Sequence, residues 1–335
     1  MLLSKNVISF SISVLTMDEF ERLQRRLRLH NLRVLMLVAE AGSMNKAAER
    51  LGSSQPAVSR AISDLEHALG VPLLDRSPRG VEPTNYGRAI IRRGIAVFDE
   101  LRHGIKDVEF LADPTTGELR FGCAEAMADT LVPVVIDKLT RKYPRLSFHV
   151  ATDAGPPIFE RLAAREVELV ISRIPKEAAQ KYLIVRELFE TSYVVAAGPG
   201  NPWLGRRKIR LAEIRDEQWT LPPSDSFGHT MITEAFHASG LDPPRVVATA
   251  VSRSMRNRLL ATGRFLTMVP GFSAMPHQYP FLRGLPIELP DTRAPVTVAT
   301  LRNRTLSPLA LLFLDTLRDI ATKAVRRAKS TSSSA

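Results

Sequence analysis

Cysteine is almost missing from this chain: Cys123 is the only one in 335 residues. That excludes an intrachain disulfide and any cysteine-rich zinc site, and a reduced, cytoplasmic setting is the simplest one. The residue itself reads as a small buried side chain in the strand LRFGC rather than as a redox thiol. The seven histidines are scattered without ligand spacing. No phosphate loop, nucleophile elbow or zinc-protease pattern occurs, so no catalytic residues, metal or cofactor are expected. No apolar run reaches the length of a membrane span. Acidic residues are also in short supply, 35 against 46 Lys and Arg, for a formal charge of +11 and an isoelectric point near 10.1. Such a balance favours acidic partners, nucleic acid first among them. Between residues 22 and 106 stand 15 Lys/Arg and 8 Asp/Glu, so much of the excess is concentrated there.

What that basic segment does contain is three short helical patterns, between residues 32 and 76, punctuated at Gly42-Ser43 and Gly52-Ser53-Ser54. Leu32, Leu35, Val38 and Ala39 form one apolar stripe, Met44, Ala47, Ala48 and Leu51 a second, and Val58, Ile62, Leu65 and Leu69 a third. The glycines suit left-handed stops, Ser43 and Ser54 can cap the following helices, and Pro56 fits a first turn. Helices this short must pack on one another to persist. Two of them joined by a tight turn, with a polar N-terminal face on the second, make a helix-turn-helix. Opposite Val58, Ile62 and Leu65 stand Gln55, Ser59, Arg60 and Ser63. Gln can bond two edges of an adenine, Arg can pair with guanine or phosphate, and Ser can hold phosphate. A solvated polar helix face is the plainer reading of the same residues.

The run AAERLGSSQPAVSRAISDLEHALGVPLLDRSPRGVEPTNYG closely resembles the winged helix-turn-helix of LysR-type transcriptional regulators. The alanine pair, the turn, Gln-Pro-Ala-Val-Ser-Arg, Leu-Glu, Leu-Gly, Leu-Leu-Asp-Arg and Thr-x-x-Gly all occur in order. The resemblance extends more loosely from residue 29 to about 327, and its nearest subgroup is that of galactose-binding-protein and protocatechuate regulators. The fold it implies is α plus α/β: an N-terminal winged helix-turn-helix, a long linker helix and a two-lobed periplasmic-binding-protein-like effector domain. The DNA-binding set expected is Ser54, Gln55, Pro56, Ser59, Arg60, Arg76 and Arg79, the last two in a tight basic wing that can reach phosphate or the minor groove.

Thr84 reads as the cap of a long helix ending near residue 111. Along it Ile90, Gly94, Val97, Leu101, Gly104 and Val108 alternate four- and three-residue steps, the seam of a coiled coil. The resemblance makes this a linker that pairs two subunits, with Ile90, Val97, Leu101 and Val108 at the dimer contact, and so sets two heads on one interrupted palindrome as a dimer or tetramer. Asp113-Pro114-Thr115-Thr116-Gly117 then breaks the pattern. Strands alternating with helices follow, which argues for parallel sheet. The expected domains are an extension over 1 to 28, the DNA-binding head over 29 to 84, the linker over 85 to 112, an effector domain over 118 to 327 and a disordered tail over 328 to 335. In the effector domain one lobe takes 118 to 193 with 296 to 327, the other 194 to 295. Residues 1 to 16 read as disordered or as a mis-set start before Met17.

Ligands of open parallel sheets lie beyond the carboxyl ends of the strands, near helix N-termini. That rule selects Glu125, Ala126, Met127, Asp153 and Arg173 from the first lobe, and Ser224, Ser226, Ser252, Arg253 and Phe272 from the second. Arg173 and Arg253 can meet a carboxylate or donate to sugar hydroxyls. Glu125 would repel an anion unless protonated or paired. A sugar, a sugar acid or an aromatic acid all fit, and RNA polymerase is kept as a further partner. The alternative reading is a solute-binding protein with an N-terminal extension; an enzyme would need paired catalytic groups that the sequence does not show.

Overall fold

The computed structural model describes residues 17–77, 80–152, 156–173, 182–224, 226–274, 282–290 and 292–333. The expectations for residues 1 to 16, Arg79 and Asp153 lie outside the described residues. Two compact units divide the chain inside one helix, the first ending at Leu101 and the second starting at Arg102.

The first unit runs α1 (Met17–Arg26), α2 (Leu29–Ala41), α3 (Met44–Arg50), α4 (Gln55–Leu69), an antiparallel hairpin of β1 (Leu74–Ser77) and β2 (Gly80–Pro83), and the start of α5 (Asn85–Ala112). Its core joins Val34, Leu35 and Val38 of α2, Met44, Ala47 and Ala48 of α3, Val58, Ile62 and Leu65 of α4, and Leu73. The predicted stripes are largely the packed ones, except that Val34 is buried in the core while Ala39 is half-buried outside it and Leu32 is half-buried against α5 at Gly94, where a Cβ would sit 3.0 Å from its Cδ1. Gly42 ends α2 at φ +64°, a left-handed stop that an L side chain rarely adopts. Ser54 caps α4 by accepting from the Ala57 N–H at 3.4 Å, whereas Ser43 holds the cap position of α3 without a side-chain bond.

Three motif residues hold the hairpin to the helices. Glu66 of α4 accepts from the backbone N–H groups of Leu73 and Leu74 at 2.7 and 3.2 Å. Thr84 donates its hydroxyl to the Pro72 carbonyl at 2.8 Å, accepts from the Gly87 N–H at 3.0 Å, and so caps α5. At Gly87 a Cβ would lie 2.1 Å from the Leu73 carbonyl oxygen, a close approach that only glycine permits.

The second unit begins with the last turns of α5, where Lys106 Nζ donates to the Glu118 carbonyl at 3.3 Å and His103 lies 3.0 Å from Arg304. It continues β3 (Thr116–Cys123), α6 (Glu125–Ala128), α7 (Leu131–Lys142), β4 (Arg145–Ala151), α8 (Pro156–Ala163), β5 (Leu169–Ser172) and β6 (Leu183–Thr191). Next come β7 (Tyr193–Ala197), β8 (Gln218–Leu221), α9 (Phe227–Ala238), β9 (Val246–Thr249), α10 (Arg253–Ala261), β10 (Phe265–Pro270) and β11 (Arg283–Gly284). The chain closes with β12 (Ala294–Leu301) and α11 (Pro308–Ser333).

Two five-stranded sheets result, ordered β4-β3-β5-β12-β6 and β11-β7-β10-β8-β9. Both are mixed rather than parallel: β12 runs antiparallel to β5 and β6, and β7 antiparallel to β10 and β11. Each therefore receives strands after the chain has crossed from one sheet to the other. Phe121 and Phe313 centre the core of the first lobe, their rings 4.6 Å apart, and Trp219 packs edge-on against Phe236 in the second. The two crossings run side by side as a hinge, with the Tyr193 N–H donating to Thr292 Oγ1 at 3.2 Å and that hydroxyl donating back to the Tyr193 carbonyl at 3.0 Å. Helix α11 runs on to Ser333. Its Ala, Lys and Arg residues are good helix formers, with no Gly or Pro among them to stop the helix.

Candidate nucleic-acid interface and effector cleft

The first turns of α4 carry Gln55, Pro56 and Arg60, all exposed, with Ser59 half-buried between them. Gln55 and Pro56 occupy the first two helical positions and Ser54 precedes them as the cap, so proline loses no hydrogen bond and fixes the helix start. Neither Gln55 nor Arg60 is tied to another side chain among the described residues, which leaves both available to an outside partner. Arg76 is exposed on β1, opposite Val81 in the hairpin. The hairpin is set against α2 by the Val81 N–H, which donates to the Gly42 carbonyl at 3.0 Å.

On α5 the expected seam divides. Ile90 is half-buried and packs against the core of the head, and Gly94 is buried beneath Leu32 and Met36. Val97, Leu101, Ile105, Val108 and Leu111 remain 44 to 79% exposed, an apolar stripe too continuous to be incidental. Gly104 meets nothing within 4 Å of a Cβ position.

The effector candidates do not form a single group. Met127 and Phe272 are 2% exposed and belong to the core of the first lobe, Phe272 edge-on to Phe189 at 5.9 Å. They follow strand ends as expected but turn inward, because short helical turns bury one face at once. Ser226 and Ser252 cap α9 and α10, accepting from the His229 and Met255 N–H groups at 3.3 Å each. Ala126 is half-buried, its carbonyl accepting from the Thr130 hydroxyl at 2.5 Å, and Ser224 is exposed.

The charged candidates meet across the cleft between the lobes. Glu125 Oε1 accepts from the Arg253 N–H at 3.1 Å, and Asp129 Oδ2 lies 2.6 Å from Arg253 Nε. Arg256 Nη2 stands 3.9 Å from Glu125 Oε2. The Arg253 side chain is only 7% exposed, so these contacts operate at low effective dielectric. Burial holds the Arg256 guanidinium below its ordinary range, with the Glu125 carboxylate opposing that shift. Asp129 and Arg256 complete this charged cluster, and the strand-end rule missed both. Asp129 could have been found one helical turn after Glu125, on the same face.

Arg173 leaves β5 and reaches the hinge, where Nη2 donates to the Thr191 carbonyl at 3.3 Å. Its guanidinium rests 4.3 Å from the centre of the Tyr193 ring and 4.9 Å from that of Phe227. Burial holds it below the usual arginine range. Burial likewise raises Tyr193 above the usual phenol range, against the pull of Arg173 and Arg253. Cys123 is buried at the end of β3, and its thiol is pushed up to about 12 by burial and then by the Asp129 carboxylate, which suits an inert core residue.

Among the described residues no group of His, Cys, Asp and Glu could hold a metal ion, and no helix is long and apolar enough to cross a membrane. Residues 29–88 match the family described as bacterial regulatory helix-turn-helix protein, lysR family, and residues 112–322 match the LysR substrate binding domain. The chain is 29% identical over 314 residues to the transcriptional regulator GbpR of Azospirillum brasilense, covering 91% of this chain and 90% of that one. It is 34% identical over 183 residues, 55% of this chain and 60% of the other, to the SDS degradation transcriptional activation protein of Pseudomonas sp. strain ATCC 19151. Among solved structures, a full-length single-residue variant of OxyR from Pseudomonas aeruginosa aligns at TM-score 0.60 and 22% identity, over 87% of this chain and 95% of that one. CbnR in complex with its target DNA aligns at TM-score 0.51 and 23% identity, over 88% of this chain and all of the other. The basic head that a solute-binding protein would leave without a role is thus a recognised module. From these matches and the fold, the chain belongs to the LysR family of DNA-binding transcriptional regulators with an effector-binding domain, a family whose members are not enzymes.

Proposed function

We propose that this regulator binds an interrupted palindromic promoter site as a dimer or tetramer and changes transcription when a small effector enters the cleft. The observation that carries the reading is the row of exposed Gln55 and Arg60, with half-buried Ser59 between them, at the start of α4, capped by Ser54 and flanked by Arg76. These groups enter the major groove with Gln55 and Arg60 on base edges, while Ser54, Ser59 and Arg76 hold phosphate and Pro56 sets the angle of the helix. Arg79 grips the backbone or minor groove beside them. CbnR, similar in fold, was solved on its target DNA, which supports this docking.

Two copies pair through the exposed stripe of α5, with Val97, Leu101 and Val108 at the contact and Ile90 supporting it from the head. Since a ligand shifts only what it binds unequally, the effector acts by changing the cleft and hinge, and through them the pairing of subunits on DNA. The protein works in the cytoplasm, where promoter DNA and small metabolites meet. Gel shift on the upstream region of its own gene, at several salt concentrations, tests the reading: binding should weaken steeply as salt rises. Leu101→Asp should turn the dimer into a monomer in sedimentation, because pairing would bury an unpaired carboxylate on each copy. A dimer that survives the substitution would move the contact off α5.

A further inference from the structure

The place that the strand-end rule reserves for a ligand is filled by the protein's own side chains. Glu125 and Asp129 stand where the chain leaves β3 of the first lobe, while Arg253 and Arg256 lie on the first turns of α10, which follows β9 of the second. Ser252 caps α10 by accepting from the Met255 N–H, which leaves the Arg253 N–H without an acceptor inside the helix. Glu125 Oε1 takes that donor from the opposite lobe. Its other oxygen, Oε2, is 3.9 Å from Arg256 Nη2, and Asp129 Oδ2 meets Arg253 Nε at 2.6 Å. Arg256 is itself held from behind, its Nη1 donating to the carbonyls of Ala250 and Val251. Two carboxylates of one lobe thus face two guanidinium groups of the other, at the positive end of a nine-residue helix. Such a set of donors suits a small anion. Here the anion is supplied by the chain, and each of the three contacts to a carboxylate crosses between the lobes.

Resting on the effector-domain reading above, we infer that Glu125 is an internal ligand: with Asp129 it latches the lobes together in the effector-free protein, shuts small anions out of the α10 site, and makes release of that latch the step an effector brings about. The four charges balance, two of each sign, so an anion from solution enters only by displacing Glu125. That carboxylate is tethered to the same chain and competes at high effective concentration. The switch then runs from closed to open. A molecule that binds the parted lobes better than the latched ones shifts the population toward them, in proportion to that difference. The paired crossings at Tyr193 and Thr292 are the segments about which the lobes part.

Glu125→Ala removes little more than the atoms of acetate, so acetate is the probe, with acetamide as its neutral match and chloride at equal ionic strength as the reference. Full-length wild type and E125A are compared by thermal unfolding and by amide exchange over residues 252 to 256. In chloride E125A should melt about 2 to 4 °C lower and exchange at the start of α10 about tenfold faster or more. Acetate should restore both saturably and acetamide neither, while the wild type responds to acetate no more than to chloride. Glu125→Gln, which keeps an acceptor for the Arg253 N–H, should fall between the two. The inference is overturned if acetate stabilises the wild type as much as E125A, if acetamide rescues as well, or if E125A is lowered but deaf to acetate, which would make Glu125 a structural contact only. In a reporter carrying the upstream region, E125A and D129A should each change output without any effector, in the same direction; output unchanged by both would overturn the latch. Failure of the wild type to bind that DNA would contradict the regulator reading and leave the acetate result standing.

Discussion

In the head, Gln55, Ser59 and Arg60 lie within six consecutive residues of one helix and are bound to no other side chain among the described residues. In the effector domain, Glu125, Asp129, Arg173 and Arg253 come from three segments up to 128 residues apart, the two half-buried carboxylates meeting Arg253 and Arg173 resting against rings. The first arrangement suits a partner that is large, polyanionic and outside the fold: the helix offers donors, of which the Arg60 guanidinium stays solvated and charged until DNA arrives. The second suits a small partner that must be enclosed. There the protein pairs most of its own charges across the cleft.

Substitutions should separate the two kinds of site. The largest effect is expected at Gly87, where Ala would place a Cβ 2.1 Å from the Leu73 carbonyl oxygen. The hairpin would have to leave α5, at about 3 kcal/mol or more, and the head should melt at lower temperature while the effector domain's transition in calorimetry stays put. Equal loss in both transitions would contradict the division into independent units.

Asp129→Ala comes next, and acts in the other unit. It strands the 7%-exposed Arg253 side chain, whereas Asp129 itself is 31% exposed, so the loss should be about 2 to 4 kcal/mol, below that of a fully buried pair. Denaturant unfolding should show it, and D129A combined with Arg253→Met should recover much of it. If the double variant is no better than D129A, the pair is not the source of the loss.

The head's residues were legible because their geometry is local. Helical stripes, the glycine stops, Ser54 and Thr84 all act within four residues or so of their positions, and the Thr-x-x-Gly pair declares its own cap. The cleft was only half legible. Strand ends located Glu125, Arg173 and Arg253, yet nothing in their spacing showed that Glu125 would bond Arg253, since that contact depends on how two lobes close. Tyr193 and Phe227 were not singled out for the same reason. Strand β6 carries a weak strand signal, because Arg186, Glu187 and Glu190 interrupt its apolar residues and the register with β12 shifts between Val296 and Thr297. Met127 and Phe272 show the converse error, since a position after a strand gives the neighbourhood of a ligand but not the side of the turn that faces it.

Arg60→Ala should leave stability nearly unchanged and reduce specific DNA affinity by about 1 to 3 kcal/mol if its guanidinium makes a bidentate base contact. Competition against scrambled duplex measures this; an unchanged specificity ratio would remove Arg60 from base reading. The smallest effect lies outside both sites. Glu118 is held below the ordinary value of 4.5, first by its hydrogen bond from Arg120. A depressed carboxylate stabilises the fold above its unfolded value and loses that contribution as pH falls through the lowered one. Glu118→Gln should therefore be slightly less stable than the wild type at neutral pH and converge with it in acid. A gap that widens on acidification would reverse the assignment.

Footprinting of the full-length chain on its own upstream region, repeated for Gln55→Ala and across salt, addresses the proposed mode of DNA reading most directly. Paired α4 helices predict two protected half-sites separated by a whole number of helical turns, lost together in high salt and blurred by the substitution. A single protected patch from a monomeric species, indifferent to Gln55, would contradict it.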